Sequence, residues 1–275
     1  MAPLVVSFLG PEGTNAHVAA LRAFPNATQL HPVPTIPAVF TAVEDGVATC
    51  GVVPIENSIE GGVSFTLNRL LDSKLCIAGE LVIDIEHCLL SGETELARVT
   101  TVISHPQALA QCRNWLSVNL PGAAQIPWAS TAGAVLEAKG KPGVAAIASE
   151  LAGKTHGVPV LAQQVQDRGE NATRFIILAA HDAPRTGRDK TSIVFSTRHE
   201  KGALLHALAV FDERGINLTR IESRPLPGQM WQYAFFTDLE GHRSDATVAA
   251  ALEKLQKLVP ESGIFRVFGS YPLAR

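Results

Sequence analysis

Apolar residues recur along the first 180 positions with two alternating periods. The run Leu4 to Leu9 reads as a buried strand, the polar turn Gly10-Pro11-Glu12-Gly13-Thr14 follows it, and Asn15 to Phe24 has helical spacing. Gln29 to Val33 and Cys50 to Pro54 repeat the strand pattern, with a helix over Ile36 to Glu44 between them. Such alternation predicts a mostly parallel sheet with helices on its faces. Ligands are then expected at strand C-terminal ends and helix N-termini.

After a helix over Val63 to Leu71, the long extended run Cys76 to Ser91 carries the chain to a second lobe. There the pattern predicts Val99 to Ser104, a helix from Pro106 to Leu116, Ala124 to Trp128, a helix from Thr131 to Ala138, Val144 to Ala148 and a further short helix. A second extended run, Pro159 to Gln166, leads back to Gly169 to Leu178. Two crossings between two lobes imply a hinged cleft with Asn171 to Phe175 beside it.

From Asp182 to Lys190 the composition turns charged and Pro- and Gly-containing, as in a linker. Beyond it, Thr191 to Thr197, Ala203 to Glu213, Leu218 to Ser223, a turn at Pro227-Gly228, Trp231 to Leu239, Asp245 to Leu258 and Phe265 to Ser270 give the order βαββαβ of a ferredoxin-like module. The expected fold class is therefore α/β and two-lobed, followed by an α+β module. The expected domains are 1–182, with lobes at about 1–77 plus 165–182 and 78–164, and 190–275.

Composition narrows the partners. A net charge of −3 with scattered Lys and Arg excludes a broad nucleic-acid surface. The uncharged stretch Asn114 to Leu136 is interrupted by Pro121, Pro127 and several polar residues, so no membrane span is expected. Cys50, Cys76, Cys88 and Cys112 include no C-x-x-C pair and no His at ligand spacing, which argues for free thiols and against a metal site. The start of the chain has no signal-peptide character, and the cytoplasm is the expected compartment. The Asn-x-Ser/Thr sites at Asn26, Asn171 and Asn217 are taken as chance.

The candidate chemistry concentrates in Asn171-Ala172-Thr173-Arg174-Phe175, where an amide, a hydroxyl and a guanidinium precede an apolar strand. A solvated turn before an ordinary core strand fits these residues as well as a site edge does. The turns at Thr14, at Glu56-Asn57-Ser58, at Ser104-His105 and at Ser130-Thr131 offer hydroxyls, amides and helix N-termini. Each is open to a capping role. Together they suit a small carboxylate ligand.

Gly10 to Thr14, Val53 to Ser58, Ser104 to Cys112, Ser130-Thr131-Ala132 and Asn171 to Phe175, in that order, resemble the prephenate dehydratase family over about residues 4 to 180. One departure is Asn15-Ala16, where the family has an aromatic residue and Ser. Gly202 to Leu205, Ile216 to Thr219 and Ile221 to Pro225 resemble the ACT-type regulatory domain of the same enzymes.

The resemblance implies a catalytic fold like a type II periplasmic binding protein. It implies conversion of prephenate to phenylpyruvate with loss of carbon dioxide and water, without a cofactor or metal. Thr173 would serve the departing hydroxyl, Arg174 the substrate charge and Glu56 a proton or a donor. Thr14, Asn57, Ser58, Ser104, Ser130, Thr131 and Asn171 would position substrate, with Phe175 packing beneath Thr173. The implied effector is L-phenylalanine, held near Gly202, Ala203, Leu204, Leu205, Asn217, Leu218, Glu222, Ser223 and Arg224 at the interface of a homodimer or homotetramer. Arg174 remains open to a structural ion pair with Glu56 or Glu170, and Glu222 with Arg224 to a purely interfacial role. An arogenate dehydratase, a non-catalytic binding protein and an amino-acid sensor share the same outline.

Overall fold

The computed structural model describes residues 3–167, 169–226 and 232–274. In chain order it begins with β1 (Val5–Leu9), α1 (Asn15–Ala23), β2 (Gln29–Val33), α2 (Ile36–Glu44), β3 (Cys50–Asn57), β4 (Gly61–Gly62), α3 (Ser64–Asp72) and β5 (Cys76–Asp84). It continues with β6 (Cys88–Ser91), β7 (Thr101–Ser104), α4 (Pro106–Gln111), α5 (Arg113–Asn119), β8 (Ala124–Pro127), α6 (Thr131–Ala138), β9 (Val144–Ala148), α7 (Glu150–His156) and β10 (Val160–Ala162). The remainder is β11 (Ala172–Ala179), β12 (Asp189–Ser196), α8 (Ala203–Asp212), β13 (Leu218–Pro225), β14 (Tyr233–Glu240), α9 (Ala246–Leu258) and β15 (Phe265–Pro272).

The strands form three sheets among the described residues. The first has the order β2-β1-β3-β11-β5, with β4 beside β3; the second is β10-β6-β9-β7-β8; the third is β13-β14-β12-β15. β1 pairs in parallel with β2 and β3, and β7 with β8 and β9, so the βαβ alternation read from the sequence is realised in both lobes. β6 joins β9 antiparallel, which makes the second sheet mixed. The third sheet, flanked by α8 and α9, is the expected βαββαβ module.

Helix starts follow capping chemistry. The side chains of Thr14, Thr35, Ser130 and Ser149 each accept a backbone N–H of the first turn of α1, α2, α6 and α7. Apolar faces close the cores: Val6, Phe8, Ala16, Val52, Ile83 and Phe175 in the first lobe, and Leu90, Ile103, Val135 and Ala146 in the second.

Three expectations are corrected. β3 runs on to Asn57 because Glu56 and Asn57 pair with Gly62 and Gly61 of β4. The run Cys76 to Ser91 is two strands broken at residues 85–87. The helix expected over Pro106 to Leu116 is broken at Cys112, where the Asp167 carboxylate accepts the N–H groups of Asn114 and Trp115, each over 2.9 Å, and so caps a new helix from 52 residues away or more. Within the expected linker 182–190 the Asp189 carboxylate accepts from the backbone of Thr186 and Gly187, and Asp182 pairs with Arg243. The expected turn at Pro227-Gly228 and the strand start at Trp231 lie outside the described residues.

Packing divides the chain into two compact units, Met1–Leu67 with Leu81–Phe175 and Asn68–Glu80 with Ile176–Arg275. In the second unit the core of the third sheet is Ile193, Phe195, Val210, Phe211, Leu239, Leu252 and their neighbours. The Arg266 guanidinium donates to the carbonyls of Leu70 and Leu75, each over 3.0 Å, and Lys190 Nζ lies 2.7 and 2.9 Å from the two Glu80 carboxylate oxygens. The segment 68–80 is thereby bonded to β12 and β15.

Candidate active site

β11 begins beside the end of β3, and the contacts there bring together Asn57, Ser58, Asn171 and Thr173. The Asn57 amide donates from Nδ2 to Thr173 Oγ1 over 2.9 Å and to Asn171 Oδ1 over 3.0 Å. Its Oδ1 accepts the backbone N–H groups of Ile59 and Glu60, so its orientation is fixed by the turn after β3. Ser58 Oγ accepts from Ala172 N, and Ser58 N donates to Ala172 O over 2.9 Å, stitching the two strand ends together.

Thr173 is 9% exposed, and its oxygen accepts from Asn57 while its own hydrogen is not committed to an acceptor among the described residues. Successive positions of a strand project to opposite faces, so Arg174 points away from Thr173. Arg174 Nε lies 3.6 Å from Glu56 Oε2, the neighbour of Asn57 on β3. The two adjacent residues of each strand thus form two pairs, Asn57 with Thr173 and Glu56 with Arg174. Phe175 is buried in the first-lobe core with Val6, Phe8 and Val52.

The network extends to two residues given no role from the sequence. Asn171, 4% exposed, donates from Nδ2 to Gln111 Oε1 over 3.0 Å, and His87 Nε2 lies 2.9 Å from the same oxygen. Gln111 Nε2 is buried without a hydrogen-bond partner among the described residues. Burial holds the His87 imidazole below its ordinary pKa of 6.5, while the Gln111 hydrogen bond acts the other way. Gln111 ends α4 at the Cys112 break, and its carbonyl accepts from Asp167 N over 2.8 Å. Burial, with the nearby Asp167 carboxylate, pushes the Cys112 thiol up to about 12, so it is an inert thiol.

The other candidate positions are spent on local structure, in differing degrees. Thr14 Oγ1 donates to Leu9 O and accepts from His17 N. Gly13 N, one of the amides of the turn before α1, donates to His17 Nδ1 over 3.0 Å, and Gly13 O accepts from Ser149 Oγ over 2.8 Å. Ser104, expected to cap α4, is fully buried and donates to Ile147 O over 2.6 Å; His105 is the cap. Ser130 caps α6, whereas the Thr131 hydroxyl beside it makes no hydrogen bond among the described residues.

In the third sheet, Gly202 takes φ 82° ahead of α8, with no side chain capping the helix. Gly202, Ala203, Leu204 and Leu205 line a cavity of about 470 Å³ with Tyr233 and Phe235 of β14. β13 is an edge strand whose alternate residues, including Ile221 and Ser223, are exposed. Asn217 donates to Glu240 Oε1, Leu218 starts the strand, and Glu222 pairs with both Arg220 and Arg224. Among the described residues no cluster of His, Cys, Asp and Glu could hold a metal, and no helix is long and apolar enough to cross a membrane. All four cysteines are free.

A two-lobed α/β domain with an amide-buttressed threonine at its strand junction, carrying a ferredoxin-like module, is the class of protein this structure defines. The prephenate dehydratase family matches residues 6–183 and the ACT domain matches residues 191–256. The chain belongs to the prephenate dehydratase family.

A bifunctional chorismate mutase/prephenate dehydratase of Aquifex aeolicus (strain VF5) is 46% identical over 98% of this chain and 74% of its own length. The crystal structure of an Arthrobacter aurescens prephenate dehydratase in complex with L-Phe is 36% identical, with a TM-score of 0.87 over 98% of this chain and 90% of that one. A structure described as a novel type of quorum quenching acylase is 33% identical, also with a TM-score of 0.87, over 98% of this chain and 97% of that one.

Proposed function

We propose that this chain converts prephenate to phenylpyruvate. In the reaction the ring carbon–carboxylate bond breaks and releases carbon dioxide, its electron pair enters the ring, and the ring carbon–oxygen bond at the far side breaks. The departing hydroxyl takes up one proton and leaves as water. Aromatisation makes the step downhill, so the protein's task is to orient the dianion and assist the hydroxyl.

The observation that carries the reading is the Thr173 hydroxyl. Its oxygen is held by Asn57 and its hydrogen has no acceptor among the described residues, which suits a donor to the departing hydroxyl. As negative charge grows on the threonine oxygen, the Asn57 amide compensates it. Thr131 and the N-terminus of α6 are suited to a substrate carboxylate. Asn171 and Ser58 hold the strand junction, and Glu56 with Arg174 brace it from the other face. Thr14, Ser104 and Ser130 shape the turns around it.

In the same reading L-phenylalanine binds the turn Gly202 to Leu205, where the N-terminus of α8 meets its carboxylate and the adjacent cavity takes its ring. The L-Phe complex of the Arthrobacter relative supports this. Asn217, Leu218, Glu222, Ser223 and Arg224 lie on or beside the edge strand β13, which suits pairing of two modules into a homodimer, or a dimer of dimers. The compartment proposed is the cytoplasm, in keeping with four free cysteines.

The test is phenylpyruvate formation from prephenate by the purified chain, with arogenate and an N-acylated amine as parallel substrates. Turnover of prephenate above both supports the proposal. Faster turnover of arogenate moves the substrate. Amide cleavage without phenylpyruvate formation would follow the acylase-like neighbour and overturn the reading, since a shared fold does not fix chemistry.

A further inference from the structure

We propose that His87 is a positioning residue for this reaction: as a neutral imidazole carrying its hydrogen on Nε2, it fixes the side-chain amide of Gln111, and it acts through Gln111 alone. The inference rests on the dehydratase reading for its kinetic consequence, but not for its geometry.

The geometry is a chain of forced assignments. Ile59 N and Glu60 N donate to Asn57 Oδ1, so the Asn57 nitrogen must face Asn171. Asn171 then presents Oδ1 to Asn57 and Nδ2 to Gln111, over 3.0 Å each. Gln111 must answer with Oε1, and His87 Nε2, 2.9 Å from that oxygen, must carry a hydrogen. Two backbone amides at the end of β3 thereby dictate a tautomer three side chains away.

His87 is itself immobilised at the point where the two crossing segments meet. It is 4% exposed, its N–H donates to Gln166 Oε1 over 3.0 Å, and its carbonyl accepts from Val165 N over 2.9 Å. With two donors converging on Oε1, the Gln111 Nε2 group is turned away from them and left buried without a partner among the described residues. A buried donor turned away from its protein neighbours is open to a ligand atom or an ordered water. The opposite tautomer would set a lone pair against Oε1 and favour a flipped amide, presenting an acceptor where the donor now stands.

The experiment uses the full chain. In the ¹⁵N spectrum of histidine-labelled protein at pH 7, His87 is expected as a neutral Nε2–H imidazole whose resonances move in Gln111→Leu. An Nδ1–H form, an imidazolium, or resonances indifferent to Gln111→Leu would overturn the assignment, whatever the enzyme's activity. In the kinetic arm, His87→Leu is expected to lower kcat by about tenfold or more with a smaller change in KM, and His87→Gln to recover most of it. His87→Leu added to Gln111→Leu should cost nothing further, because the two act as one unit. Independent losses in the double variant, or an unaffected His87→Leu enzyme, would sink the positioning role. Absence of phenylpyruvate formation by the wild type would instead sink the dehydratase reading, and the spectrum would still decide the tautomer.

Discussion

Asn57 Nδ2 donates to Thr173 Oγ1 over 2.9 Å, so the threonine oxygen is supplied with a hydrogen bond and its own proton is left to give. Thr173→Val keeps the shape and removes the hydroxyl. Its kcat on prephenate is expected to fall by about 10²- to 10⁴-fold, while Thr173→Ser stays within about tenfold. Asn57→Asp replaces the donor by an acceptor that captures the threonine proton, and should lose nearly as much. Phenylpyruvate appearance, with thermal unfolding as a check on folding, measures all three. A Thr173→Val enzyme near wild-type rate is incompatible with the role.

Glu56 and Arg174 face away from that hydroxyl, which separates their effects. Glu56 is partly exposed, and Glu56→Gln should cost about 1 kcal/mol or less and leave kcat within about tenfold. Arg174 is 12% exposed at its side chain, so Arg174→Met should cost about 1–3 kcal/mol by urea unfolding. A loss of kcat in Glu56→Gln as deep as in Thr173→Val would place Glu56 in the chemistry instead.

Gly13 meets two constraints at once. Its φ is +86°, and a Cβ there would stand 2.8 Å from Ala152 Cα, which is backbone and cannot swing aside. Gly46 has a similar φ of +72° with nothing within 4 Å. Gly46→Ala should therefore cost about 1 kcal/mol from backbone strain, and Gly13→Ala about 2–4 kcal/mol because α7 must also shift. Equal costs by urea unfolding would mean that the close approach is not maintained in solution.

The strand and helix alternation was legible because each element has its own apolar period: Gln29–Val33, Ile36–Glu44, Thr131–Ala138 and Val144–Ala148 match what the pattern predicts. What the pattern misses is fixed by partners distant in sequence. No local signal at Cys112 ends a helix; the Asp167 carboxylate does. Likewise Ser104 reads as a cap but finds the Ile147 carbonyl from a neighbouring strand. Thr173 and Asn57 were singled out by motif, and Gln111 sat inside a quoted motif without a role. His87 had no signal at all, since a lone histidine between two strands gains meaning only from the amide it meets.

Two histidines, His87 buried and His17 half-buried, lower stability toward acid pH. Burial lowers the pKa of His17 below 6.5, with Glu12 opposing, and burial likewise lowers that of His87. His17 Nδ1 accepts the Gly13 N–H and cannot do so when protonated. The unfolded chain therefore binds more protons than the folded one below about pH 6.5, and stability falls as pH drops through that value, by at most about 1.4 kcal/mol per pH unit for each site. Thermal unfolding at pH 7.5 and 5.0 should show a lower Tm at the acid end, with a smaller drop in His17→Asn. A Tm that rises toward pH 5 would contradict the sign.

Lys190 and Glu80 are 8% and 2% exposed at their side chains, and Glu80 Oε1 also accepts from Ala274 N over 3.1 Å. Burying both charges is costly, and each is tolerated because the other is present. Lys190→Met takes the ammonium away from a buried carboxylate and should destabilise the chain by about 3–5 kcal/mol, and Glu80→Leu should do comparable harm by taking the carboxylate from a buried ammonium. The double variant removes both charges, leaves the Ala274 amide short of this acceptor, and should recover much of the loss. Because the pair ties the middle of β5 to β12, the single variants should also speed hydrogen exchange across residues 76–80 before the third sheet opens. A double variant no more stable than either single one would mean that the two charges do not stabilise each other in the folded chain.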